Sequence, residues 1–101
     1  MTQLFKQKQM NHYILFYKTV KNFIEKRAPF REAHLNKINK AHEDGILIMA
    51  GALDDPNDEA MLVFKCDNEA IVIDFAKNDP YVKNGVILDW QISQWNVVVG
   101  K

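Results

Sequence analysis

Two residues of this chain have the chemistry to move a proton, His34 and Asp79. On a helix through residues 29–44, at about 100° per residue, Ile38, Ala41 and Phe30 fall within roughly 40° of His34, so the imidazole points into the apolar stripe. Glu32, Asn36, Asn39, Lys40 and Glu43 take the far side of the same helix. An inward histidine is most often a core group satisfied by a nearby hydrogen bond. It becomes chemically interesting when a carboxylate faces it. Asp79 ends an apolar run, stands before Pro80 and is followed by Tyr81. Continuing the helix that carries Ile71, Val72, Phe75 and Ala76 brings Asp79 to its sheet-facing side. A residue before proline is pushed out of helical geometry, so an Asp-Pro turn that merely ends the helix explains the same residue. A carboxylate beside an imidazole fixes the ring's tautomer and equips it as a general acid or base near neutral pH. One pair accounts for both placements.

Three more residues belong with the pair as candidates. Arg31 lies roughly 60° from His34 on the same wheel and reaches over the same pocket to hold an anionic group. A side chain that snorkels at the helix edge explains it equally. Arg27 is similar, with its register interrupted by Pro29. Gly51, inside a strand, marks a close approach of ligand or helix, or a bulge. Tyr81 is placed to line the pocket. His12 and His42 have no metal-ligand spacing with Asp, Glu or Cys, and the lone Cys66 in a strand reads as core. Glycine loops for phosphate and the G-x-S-x-G motif are absent from the sequence, which has only four glycines. The expected reaction needs neither metal nor cofactor.

These side chains need a scaffold, and 101 residues with 48% hydrophobic composition suffice for one domain. Residues 1–10 read as an N-terminal extension and 11–101 as the domain. Thirteen basic side chains balance thirteen acidic ones without a single-sign block, so nucleic acid and acidic lipid are not expected partners. A single cysteine leaves no intramolecular disulfide and fits a reducing compartment. No apolar run approaches the roughly 20 residues of a membrane helix, and the first residues lack a signal core. A cytoplasmic protein is expected.

The pattern predicts a strand at 12–18 (HYILFYK), then a helix at 20–27 capped by Thr19, then a helix at 29–44 opened or kinked by Pro29 and stopped by Gly45. A strand at 46–53 and a strand at 60–66 flank the turn cluster at 54–58. Asp67 or Asn68 caps a second helix at 69–77. The last strand spans 86–99, where Val86, Leu88, Trp90 and Ile92 give way to Trp95, Val97 and Val99 in the opposite phase; this predicts a bulge or break near Ser93–Gln94. The order β-α-β-β-α-β gives an α+β, ferredoxin-like fold with an antiparallel sheet and both helices on one face. Strands apolar on both sides then need cover on the other face, and a second copy meeting sheet to sheet supplies it as a homodimer.

Arg31-Glu32-Ala33-His34-Leu35, Ala50-Gly51-Ala52-Leu53, Asn78-Asp79-Pro80-Tyr81-Val82 with Gly85, and Trp95-Asn96-Val97-Val98-Val99 together resemble the YCII-related (YciI-like) domain family. The resemblance runs from His12 onward, and its most specific parts are R-x-x-H-L and D-P-Y-V in that order. It implies a subunit of a dimeric α+β barrel, with His34 and Asp79 matching the family's proposed active-site pair. The chain departs from the pattern in the segment before Met10 and in Ala52, where a proline is frequent. The expectation is a small-molecule enzyme in which His34, oriented by Asp79, moves a proton on a small anionic or phenolic substrate in an elimination (lyase) or isomerisation. The alternative is a non-catalytic ligand-binding or structural homodimer with a buried His-Asp contact. A pocket opening onto His34 favours the first; a dry site sealed by Phe30 and Trp90 favours the second.

Overall fold

The computed structural model describes residues 10–100. Apart from Met10, the expected N-terminal extension lies outside the described residues. The first strand, β1 (Asn11–Thr19), is the centre of the sheet. It pairs antiparallel with β3 (Glu59–Cys66) on one side and β4 (Ile87–Trp95) on the other; β2 (Leu47–Ala52) adds beyond β3. The order β2-β3-β1-β4 is the ferredoxin-like arrangement that the alternation of elements predicts.

Period-2 alternation divides each strand between two faces. Tyr13, Leu15, Tyr17 and Thr19 of β1 are buried with Leu62 and Phe64 of β3 beneath the helices. Ile14 opposite Val63, and Phe16 opposite Met61, belong to the other face. There Phe16 and Met49 remain exposed. The helix layer is made of α2 (Arg31–Glu43) and α3 (Glu69–Asn78). From α3, Val72, Phe75 and Ala76 enter the core, with Phe64 and Phe75 meeting edge to face at 5.1 Å between ring centroids. Partly buried Phe30, Ile38 and Ala41 pack against the same cluster, as the stripe through His34 requires.

The stretch from 19 to 30 differs from expectation. Thr19 does not cap a helix: it ends β1, its N–H donates to the Asp58 carbonyl at 2.8 Å, and Val20 N–H donates to the Val86 carbonyl at 3.1 Å. These ladder bonds hold the chain in the sheet for longer. The first helix shrinks to one turn, α1 (Phe23–Lys26), entered through Asn22 in the left-handed region with φ 59°. Pro29 sits in a 3-10 turn (Ala28–Phe30) that leads directly into α2, where its missing N–H breaks no helical bond. Gly45, with φ 79°, closes α2 as expected.

The irregularity in β4 also lies elsewhere. The strand runs without a break through Ser93 and Gln94. The register shifts at its start, where Lys18 faces Asp89 but Thr19 faces Ile87, leaving Leu88 as the extra residue. This explains why Ile87 is buried and Leu88 exposed. Residues 96–99 lie beyond the strand.

Candidate active site

Asp79 is placed by a break between two helices. Its ψ of 127° ends α3, and the same residue caps α4 (Pro80–Lys83), with Oδ1 accepting the Tyr81 N–H at 3.0 Å. Proline causes both events, since it excludes helical geometry from the residue before it and supplies a ready first helical position. The Asp-Pro turn and the inward carboxylate are therefore one feature. Its side chain has no solvent exposure.

Three donors meet this carboxylate. His34 Nδ1–H donates to Oδ1 at 2.8 Å, the Tyr81 N–H shares that oxygen, and the Tyr17 hydroxyl donates to Oδ2 at 2.7 Å. A buried carboxylate is tolerated when its lone pairs are satisfied in this way. Because the carboxylate accepts at Nδ1, the neutral ring has Nε2 as its free basic nitrogen. The imidazole also stacks on the Tyr81 ring, 3.7 Å between centroids and 8° from parallel, while Phe23 meets Tyr81 edge-on at 5.6 Å. Hydrogen bond and stacking together hold the ring in one orientation. Burial, followed by the charge and hydrogen bond of Asp79, pushes the Tyr17 phenol far above its ordinary range, so it stays protonated as a donor.

In front of His34 lies a cavity of about 330 Å³ between α2 and the β2 side of the sheet. Its floor carries Ala50, Ala52 and Ala60, small side chains that leave the space larger ones would fill, with the Gly51 backbone between them. Arg27 and Arg31 contribute positive charge to its lining, and Leu35 and Ile38 apolar surface. Phe30 and Trp90 are not among its lining residues. The Arg27 guanidinium stands over the Phe23 ring at 5.0 Å.

Of the residues singled out in the sequence, His34, Arg31, Gly51 and Tyr81 line this cavity, and Asp79 lies behind His34, out of solvent. Gly51 marks neither a close approach of a helix nor a bulge, since a Cβ there would meet nothing of the chain within 4 Å and the β2 irregularity lies between Leu47 and Met49. Tyr17 was not foreseen. A signal for it existed, because the alternation in HYILFYK puts its phenol on the buried face, where a hydroxyl needs a partner. His42 Nδ1–H donates to the Leu47 carbonyl at 2.8 Å, tying α2 to β2. Cys66 is buried, its thiol donating to the Asn68 carbonyl at 3.4 Å and pushed up by burial. Among the described residues, no group of three His, Cys, Asp or Glu side chains is arranged to hold a metal ion, and no helix is long and apolar enough to cross a membrane.

The fold has known counterparts. The chain superposes on 5-chloro-2-hydroxyhydroquinone dehydrochlorinase from Burkholderia phenoliruptrix, solved in complex with 2,5-dihydroxybenzoquinone, with a TM-score of 0.70 at 18% identity over 84% of this chain and 93% of that one. A putative antibiotic biosynthesis monooxygenase from Nitrosomonas europaea gives a TM-score of 0.60 at 10% identity, covering 92% and 94% of the two chains. At these identities the likeness is one of fold. In sequence, an uncharacterized protein of Haemophilus influenzae is 31% identical over 77% of this chain and 89% of its own length. The YCII-related domain model matches residues 10–96, the whole span from β1 to the end of β4, and the chain belongs to the YCII-related domain family.

Proposed function

We propose that the protein is a small-molecule lyase or isomerase in which His34 Nε2 is the general base and Asp79 the group that orients and charge-balances it. One observation carries this reading: the imidazole is fixed on its Nδ1 side by a fully buried carboxylate while the same residue lines an open cavity. A structural contact needs only the first half of that arrangement. Nε2 removes a proton from the substrate, and the electron pair left behind forms a new π bond as a leaving group departs from the neighbouring carbon with its own pair. In an isomerisation the imidazolium returns the proton at another carbon. Asp79 stabilises the imidazolium in either course. The cavity is at the lower end of ligand-pocket sizes, which suits a single ring better than a larger ligand.

The substrate class we assign is a small anionic or phenolic ring. Arg31, joined by Arg27, supplies the attraction for its negative group, and the dehydrochlorinase of similar fold binds a dihydroxylated quinone. Titrating isotope-labelled protein with 2,5-dihydroxybenzoquinone tests the assignment. Saturable shifts at His34, Arg31 and the Ala50–Ala52 backbone amides are expected. Shifts confined to other surfaces would contradict it.

The second proposal concerns the uncovered sheet face, where Ile14, Phe16, Met49 and Met61 form an apolar surface that a second copy would cover in a homodimer. Sedimentation should give a dimer mass that Phe16→Asp reduces to a monomer. A wild-type monomer at all accessible concentrations would rule this out.

A further inference from the structure

We propose that Tyr17 is a positioning residue of the His34–Asp79 pair, fixing the rotation of the Asp79 carboxylate so that Oδ1 addresses the imidazole. This rests on the proton-transfer reading given above. The argument begins with the division of donors. Oδ1 takes two hydrogen bonds, from His34 and from the Tyr81 N–H, whereas Tyr17 alone is bonded to Oδ2 among the described residues. The Tyr81 donor is backbone and comes with the cap of α4. Among the described residues, the phenol of Tyr17 is therefore the one side-chain donor, besides His34 itself, that holds this carboxylate.

Without the phenol, a buried Oδ2 would have no donor. A carboxylate turns about its Cβ–Cγ bond, and an unsatisfied buried oxygen carries a penalty that rotation toward the two remaining donors relieves. Either donor can then be drawn off its present geometry, and the ring loses the single hydrogen bond that selects the Nδ1–H tautomer. Tyr17 prevents this from a rigid base. It sits on the central strand, opposite Ala60 on β3 and Trp90 on β4, and is buried to 3% exposure. A group supported by a paired strand sets angles that a loop residue cannot. Tyr17 also lines the cavity beside Ala60, so its ring belongs to the cavity wall while its hydroxyl reaches the buried carboxylate. Burial, with the charge and hydrogen bond of Asp79, raises the phenol pKa and so keeps the proton on the hydroxyl throughout the neutral range, as a fixed donor must.

The test is Tyr17→Phe, which keeps the ring and removes only the O–H. Nitrogen-15 spectra of the imidazole, recorded on the free protein, should show one neutral tautomer for wild-type His34 and a mixture of both in the variant. With 5-chloro-2-hydroxyhydroquinone as substrate, kcat should fall about tenfold, the loss of roughly one hydrogen bond to a charged group, while KM stays within about twofold. A merely structural tyrosine would lower the melting temperature and leave the tautomer and the kcat to KM split unchanged. An unchanged ring spectrum overturns the proposal. Because that spectrum needs no turnover, it separates this failure from failure of the enzymatic reading, which His34→Ala tests by itself. If Tyr17→Phe does not fold, 3-fluorotyrosine at position 17 keeps the hydroxyl and strengthens it as a donor. The His34 Nδ1–H proton resonance should then move, and a resonance that stays in place would overturn the proposal equally.

Discussion

The two ends of the space between helices and sheet are built on different terms. Under α3 the space is filled: Val72, Phe75 and Ala76 belong to one buried cluster with Phe64 and Leu15. Under α2 no helix residue is fully buried, and the sheet answers with Ala50, Ala52 and Ala60 in place of large side chains. Close packing at one end supplies stability, and retained space at the other keeps His34 reachable. The boundary between the two regimes is Asp79, where the end of α3 becomes the wall of the site.

This contrast can be broken by substitution. Short of removing His34 itself, the largest effect should come from Asp79→Asn. The amide cannot accept from Tyr17, His34 and Tyr81 as the carboxylate does, and a donor turned toward His34 forces the other tautomer. Turnover should fall by about a hundredfold or more, measured as kcat, with the fold retained by circular dichroism. A variant with the wild-type rate would detach the carboxylate from the chemistry. In the packed end, Phe64→Ala should destabilise by about 3–5 kcal/mol in urea unfolding, because the cavity it opens cannot collapse. In the open end, Leu35→Ala, starting from a side chain already 38% exposed, should change stability by less than about 1 kcal/mol. Equal losses at the two sites would erase the distinction drawn above.

The pH dependence follows from Tyr17. Its phenol holds its proton more tightly in the folded chain than in the unfolded one, where it ionises near its ordinary value of about 10. The contribution to stability is complete below about pH 10 and declines as pH rises beyond it, since the unfolded chain then releases a proton that the native chain keeps. Absorbance of tyrosinate should accordingly show one phenol that ionises only when the protein unfolds. The smallest effect belongs to Tyr81→Phe. The Tyr81 hydroxyl is buried without a hydrogen-bond partner among the described residues, while its ring and N–H serve the site. Removing the oxygen should shift stability by no more than about 1 kcal/mol in either direction. A loss as large as that of Tyr17→Phe would show that the Tyr81 oxygen, like that of Tyr17, carries a hydrogen bond.

Much of this was legible in the sequence. The alternation of strands and helices gave the order of elements, and the wheel placed His34 inward with Ile38, Ala41 and Phe30. Asp79 was legible through Pro80, because proline's steric rule acts on the neighbouring residue alone. What was not legible depends on pairing. Thr19 reads as a cap until the Asp58 and Val86 carbonyls take up the backbone around it. The phase change in the last strand locates a bulge only once β1 shows which residue is left over, and that is Leu88. Tyr17 stood in plain view, but its partner lies 62 residues away. No local pattern measures such a distance.

The proposal that His34 moves the proton is tested most directly by following turnover of a panel of small anionic and phenolic rings by the wild-type chain and by His34→Ala. It predicts turnover of at least one ring by the wild type and a loss of about 10²–10⁴-fold in the variant, with unchanged folding. A variant that turns that ring over at the wild-type rate would contradict the mechanism, and a wild-type chain that turns over none of them would contradict the substrate class.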